Sequence, residues 1–446
     1  MQKLEIINVD LDREQGLVSS KIEDSSTAAT KNDLIQRKPN GTKTNKWRIC
    51  DPNHNMFEME RGDSEVVKAF KKSVKTIFLP AIFMLGVRLN YIWRPQKYFM
   101  FWITILIVIT IAISMCYTHY LHTAKGDAIR NLEVFAIYGF CLSNAMKLTN
   151  YIYHFKSILA FLHFMLKICR QNPMGRRAEL LKNELRKSFS NLKIFTICVL
   201  ANCGLFLLAP IIGYLVKEEL IVLVPLEFPF IDQSTMFGYL TANGIFSLGG
   251  VLATSGTVVF ASIYIFLISS YSAQVELIGN DFEQLDQMWA DKTESLNCKR
   301  LFLRNICMRC QDMDSYIAGV KSVFDLKMFA FFSLAYISQI ICLFEIAKND
   351  WIPGFPIAFL LFEEIMFYCY VGTKKSTANE KLCAIICSTN WYEYDLSSQK
   401  LILSQLQSCK NSSELEIGPL APMNLMTGVQ IVKSIYSYYA VLMELL

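Results

Sequence analysis

The sequence predicts an all-α membrane protein with seven transmembrane helices, a cytoplasmic N-terminus and an extracellular C-terminus. Three observations carry this prediction. Of the 446 residues, 53% are hydrophobic and only 19% are charged, against about 25% charged in soluble globular chains. The apolar residues gather into seven runs long enough to cross a hydrocarbon core of ~30 Å, which takes about 20 helical residues. Lys and Arg are spread unevenly over the segments between those runs, and that bias sets orientation.

Residues 1–97 are expected to form a cytoplasmic segment. It is polar and mixed in charge, and it lacks the apolar stretch of a secretory signal. Within it, residues 76–87 (TIFLPAIFMLGV) are apolar but too short to cross. They read as an interfacial or re-entrant helix, with Lys71, Lys72 and Lys75 before it on the lipid headgroups. The spans follow over Tyr98–Thr118, Val134–Ile152, Ile194–Val216, Met236–Ser270, Met328–Ala347, Trp351–Thr373 and Leu420–Leu442. The fourth is unusual, because no charged residue occurs from Gln233 to Val275. A helix of that length exceeds the bilayer, so it must tilt or project beyond it. The 271–326 loop continues its periodicity as a charged helix through Glu276, Asp281, Glu283 and Asp286.

Orientation rests on counting. The N-terminal segment holds 17 Lys and Arg, and the loops 154–191, 271–326 and 374–419 hold eight, six and five. Loops 119–133, 217–235 and 345–350 hold two, one and one. An N-terminus inside puts the rich segments in the cytosol. This is opposite to a G-protein-coupled receptor; no Asp-Arg-Tyr ends the third span, and Asn172-Pro173 falls in a basic loop. The glycosylation acceptors Asn40-Gly-Thr42 and Asn411-Ser-Ser413 then lie in the cytosol and stay unmodified. A transporter would predict internally repeated halves, and none is visible.

No phosphate loop, metal cluster or paired nucleophile suggests an enzyme, and no cofactor, metal or nucleic-acid partner is expected. Of the 14 cysteines, Cys141, Cys198, Cys203, Cys342 and Cys369 fall in spans. Most of the rest fall in cytosolic loops, where thiols stay reduced. Cys307-Met-Arg-Cys310 has the spacing of half a zinc site without the other half.

The last part of the chain carries a recognisable pattern. Tyr368-Cys-Tyr-Val-Gly372 closes the sixth span, and Glu380, Ala384 and Trp391-Tyr392 follow in order. The final helix reads Leu425-Met-Thr-Gly-Val-Gln-Ile-Val-Lys433-Ser-Ile-Tyr-Ser-Tyr-Tyr439-Ala-Val-Leu442. Over roughly residues 365–446 the chain resembles the insect odorant receptor family, and a ligand-specific tuning subunit more than the coreceptor.

That resemblance implies a ligand-gated, non-selective cation channel, tetrameric with odorant coreceptor subunits, in the plasma membrane of olfactory sensory neurons. The chain then divides into helices 1–6 with the pocket (98–373), a cytoplasmic anchor region (374–419) and a pore helix (420–446). Val441 and Leu442 align with the gate, where an aliphatic ring can dewet a pore. Glu444 falls at the outer mouth, and Lys433 and Tyr438 lie on the same helix. Lys433, Glu363 and Glu364 are charges inside spans, which usually find partners; a Glu–Lys pair among them is one expectation.

A pocket for a small hydrophobic volatile should be apolar and aromatic with few polar groups. Candidates are Phe135 and Tyr138 at i, i+3 on span two, Phe206 and Ile211 on span three, and Tyr239, Asn243 and Phe246 on span four. Span five offers Phe344, and span six Phe355, Phe359 and Phe362. Asn243, a lone amide, is expected to anchor an alcohol, aldehyde or ester oxygen. Trp391, Tyr392 and Leu403, with Leu396 and Leu406 near heptad spacing, form the expected subunit anchor.

Overall fold

The computed structural model describes residues 57–446, apart from 61, 91–92, 127, 218–221, 230, 292, 350, 413 and 446. Most of the predicted N-terminal segment, with the Asn40 acceptor, lies outside the described residues. Among the described residues nine α-helices run in order: α1 Glu65–Leu85, α2 Phe99–Lys125, α3 Ala128–Gln171, α4 Arg176–Lys217, α5 Met236–Ala290, α6 Leu296–Asn349, α7 Gly354–Ser388, α8 Leu396–Lys410 and α9 Leu425–Leu445. A two-stranded antiparallel hairpin, β1 Glu416–Ile417 and β2 Ala421–Pro422, joins α8 to α9.

Helices α2 to α7 are each long and apolar enough to cross a membrane. The segment expected as the seventh span forms the helix α9, whose 21 residues reach about 30 Å at 1.5 Å per residue. Its apolar run is interrupted by Gln430, Lys433, Tyr436, Tyr438 and Tyr439. The helices extend well past the predicted spans; α3, α4, α5 and α6 run to 44, 42, 55 and 54 residues.

Helix α5 is the axis of the bundle and packs against α1, α2, α3, α4, α6 and α7. Thr257–Val275 is buried without a break. A helix apolar on all sides belongs in a core, so the absence of charge from Gln233 to Val275 reflects burial among helices as well as passage through lipid. Beyond that stretch its charges meet neighbours. Asp281, fully buried, takes Arg177 of α4 at 2.5 Å and also Arg309 of α6. Glu283 pairs with Arg176 at 2.8 Å, and Glu276 with Lys381 of α7.

The segment near 76–87 departs from expectation. Its helix starts at Glu65, where the Ser64 hydroxyl accepts from the Val67 amide at 3.4 Å, and ends at Gly86 with φ 60°. Val67, Phe70, Val74, Phe78, Ala81 and Leu85 recur every three to four residues and are buried. Lys71 is not on lipid headgroups; it is fully buried, donating to the Glu58 carbonyl at 2.6 Å and to Asp63 at 2.7 Å. Docking one face of α1 on α5 and α3 takes the lysine inward, so it needs protein acceptors.

Candidate functional site

A cavity of about 490 Å³ lies among α2, α3, α4 and α5. Ile107, Ile111 and Met115 come from α2, at i, i+4, i+8, and so share one helix face. Tyr138 and Leu148 of α3, Phe206 of α4, and Phe246 with Gly249, Gly250 and Gly256 of α5 complete most of the wall. The glycines leave the room. A Cβ at Gly249 would stand 2.5 Å from Ile111, and one at Gly250 2.8 Å from Phe206.

The segment between α4 and α5 roofs this space with Val224 and Leu226. It is tied down on two sides. The Ser114 hydroxyl donates to the Glu227 carbonyl at 2.9 Å, and the Glu227 amide donates to the Thr118 hydroxyl at 2.7 Å. On the other side the Leu223 amide donates to Asn243 Oδ1 at 2.8 Å. Phe228 stacks on Phe246 with centroids 5.1 Å apart.

Polar groups at the cavity are few: Thr104, Tyr138 and Asn144, with the Cys116 and Cys141 thiols. The Thr104 hydroxyl is turned to the Met100 carbonyl, at 3.0 Å. The Tyr138 phenol meets only the Cys116 sulfur, at 3.7 Å, among the described residues; a thiol is a weak acceptor. Beneath Asn144 lies a buried charge pair. Lys147 of α3 donates to both oxygens of Glu364 on α7, at 2.7 and 2.6 Å, and to Thr257 of α5 at 3.2 Å. The Phe331 ring faces the ammonium, 4.8 Å from its centroid. Glu363 accepts from Asn202 of α4 at 2.8 Å. The two span-six carboxylates thus have partners, and neither is Lys433, which stands exposed on α9.

The sequence pattern of the family described as "7tm Odorant receptor" matches residues 127–436, well over half of the chain. The chain belongs to the odorant receptor family. Odorant receptor Or1 of Anopheles gambiae is 27% identical over 84 residues, which is 18% of this chain and about a fifth (20%) of that relative's length. The olfactory receptor OR5 of Machilis hrabei, solved in complex with eugenol, superposes with a TM-score of 0.64 at 15% identity, covering 85% of this receptor and 100% of that chain. Its other structure gives 0.63 at 14%. At such identities the likeness concerns the fold: this receptor is an all-α, multi-pass membrane protein.

Of the predicted pocket residues, the odorant receptor brings Tyr138, Phe206 and Phe246 together at the cavity. The others stand elsewhere. Ile211, Phe355 and Phe359 are exposed on the outside of the bundle, at 57%, 58% and 53%, because helical periodicity does not tell which side of an apolar helix faces protein. Phe135 is half exposed and packs on His119. Phe362 lines a separate groove with Ile194 and Phe195 of α4. Phe344 is fully buried in the core. Tyr239 and Asn243 serve the roof: Asn243 Nδ2 donates to the Tyr239 carbonyl at 3.1 Å while its Oδ1 holds Leu223. The wall from the first span was missed altogether. The Gly249-Gly250 pair inside a long apolar run was the signal for it, since glycine there marks close approach or space.

Helix α9 touches α6 and α7, and buries only Thr427, Gly428 and Ile435. Lys433, Ser437, Val441 and Glu444, at i, i+4, i+8 and i+11, form one exposed stripe, while Leu442 is half-buried. Tyr438 is exposed and meets Tyr336 edge-on at 6.2 Å. In the anchor region Tyr392 and Leu403 are exposed and Trp391 is half-buried. The side chain that docks this region on its own bundle is Tyr394: it stacks on Trp289 at 4.5 Å and donates to Asp286 at 2.5 Å. Asp395 caps α8. Burial works to raise its carboxyl, but hydrogen bonds from Arg300, Ser397 and Ser398, with the charge of Arg300, hold it well below the usual carboxylate range.

Proposed function

We propose that this odorant receptor is a tuning subunit of an odorant-gated, non-selective cation channel, assembling as a tetramer with coreceptor subunits. It works in the plasma membrane of olfactory sensory neurons, with its N-terminus in the cytosol. The observation that carries the reading is the apolar cavity of about 490 Å³ inside a chain of this family. Its size and its three polar side chains suit a small hydrophobic volatile. The fold shared with a receptor solved in complex with eugenol supports the same use.

The exposed stripe of α9 supports a pore role. A face that carries Lys433 and Glu444 with Val441 between them suits neighbouring helices and water better than lipid. Val441 and Leu442 are the proposed gate, and Glu444 is the acidic mouth that would favour cations. Trp391, Tyr392 and Leu403 are the proposed intersubunit anchor.

Current recording tests this directly. Cells expressing the receptor with an insect coreceptor should pass cation current on exposure to a member of a volatile panel, and Val441→Ser should raise the ligand-independent current. Surface-expressed receptor that passes no current with any volatile ends the channel reading.

A further inference from the structure

We propose that Asn144 is the hydrogen-bond donor through which the cavity selects ligands carrying an oxygen acceptor, and that Lys147, held by Glu364, fixes it in that role through Thr257. The inference rests on the reading of the cavity as the ligand site.

Asn144 lines the cavity, and two contacts orient its amide. Nδ2 donates to the Phe140 carbonyl at 3.0 Å, one turn back on α3. The Thr257 hydroxyl donates to Oδ1 at 2.9 Å. A backbone carbonyl only accepts, so the amide nitrogen must face Phe140; the flipped amide would set oxygen against oxygen.

By itself a threonine hydroxyl could rotate and present either polarity. Here it cannot. The Lys147 ammonium has donors only, so at 3.2 Å it occupies the Thr257 oxygen as an acceptor and turns the hydroxyl proton toward Asn144. Glu364 keeps that ammonium in place at 2.6 Å inside the bundle. The result is a one-way relay from ammonium to hydroxyl to amide oxygen. Each donation polarises the next group, which strengthens the amide nitrogen as a donor.

That nitrogen has two hydrogens. Phe140 takes one, and among the described residues no second acceptor meets the other. The cavity it lines is otherwise mostly apolar, where a hydrogen bond to a ligand meets little competition from water. The Tyr138 phenol can donate or accept and so discriminates little. The Asn144 nitrogen can only donate. A ketone, ester, aldehyde or ether oxygen satisfies it; a hydrocarbon of the same shape leaves it bare at the cost of an unpaired buried donor.

The test is competitive displacement of N-phenyl-1-naphthylamine from the purified full-length receptor by isosteric pairs. Each pair is a ketone and the alkene with CH2 in place of its oxygen, acetophenone and α-methylstyrene being the simplest. The ketone member should bind about tenfold more tightly than the alkene, the scale of one hydrogen bond in a dry site. Asn144→Leu and Thr257→Val should remove that preference while leaving alkene affinity in place, which also reports that the variant is folded. Thr257→Ser should keep it. If Asn144→Leu binds nothing, the Thr257→Val and Thr257→Ser pair decides. Wild-type receptor that shows no preference, or displaces the probe with no pair, overturns the proposal, as does a preference that survives Thr257→Val. Displacement needs no current: a failure here with currents intact removes only the donor role, and displacement without currents removes only the channel reading.

Discussion

Lys147 of α3 and Glu364 of α7 form an ion pair inside the bundle. Both groups are almost completely buried, and their separation is 2.6 Å. A buried pair is costly to desolvate, and breaking it from one side leaves an uncompensated charge at about 3–5 kcal/mol. Lys147→Met or Glu364→Leu alone should therefore lower thermal stability in detergent strongly, whereas the double variant should recover most of the loss. Equal losses in both singles and the double would mean the pair contributes only packing. The sequence marks Glu363, Glu364 and Lys433 as intramembrane charges needing partners, yet Glu364 finds Lys147, 217 positions away. A similar exchange affects the amides. Asn243, expected as the ligand anchor, is spent on the roof, and the amide that lines the cavity is Asn144.

Between elements, the junction of α7 and α9 explains two residues of the C-terminal pattern. Gly372 lies against the Met423 backbone; a Cβ there would stand 1.8 Å from the Met423 carbonyl oxygen. Backbone cannot swing aside as a side chain can. Two further bonds fix the start of α9: the Leu425 amide donates to Thr373 at 2.9 Å, and the Thr427 amide to Asn424 at 2.9 Å. Gly428 also faces α7, but its nearest neighbour is the Cys369 side chain at 3.1 Å. Gly372→Ala should consequently displace the entry to α9 and reduce surface expression or agonist response severely. Gly428→Ala should be mild, since a side chain can yield by a few tenths of an ångström. Comparable surface levels and responses for both variants would contradict this ranking.

Over the whole molecule, the charges outside the apolar core are organised by contact. Asp281 with Arg177 and Arg309, Glu276 with Lys381, and Arg300 with Asp395 gather α4, α5, α6, α7 and α8 at one end of the bundle. With the Lys- and Arg-rich loops there, the positive-inside rule assigns this end to the cytosol. Glycosylation mapping of the expressed receptor checks the proposed orientation: Asn411 should remain unmodified, and an acceptor engineered into the 217–235 segment should be modified. Glycan on Asn411 reverses the topology and, with it, the placing of Glu444 at an outer mouth.

What the sequence determined by itself is what depends on composition along one dimension: the apolar helices, their order, the charge-free run of α5 and the charge asymmetry between loops. Hydrophobic periodicity also found the final helix, and its motif pointed to the odorant receptor family. Only the tertiary structure decided which face of each helix turns inward. An apolar helix in a membrane has lipid on one side and protein on another, and both accept the same residues, so the pattern of Phe, Ile and Leu does not separate them. Hence Tyr138, Phe206 and Phe246 reach the cavity while Ile211, Phe355 and Phe359 face outward. Hence too the partner of Glu364 had to await the arrangement that sets Lys147 of α3 beside it, for a buried charge is matched by whichever donor the fold brings within 3 Å.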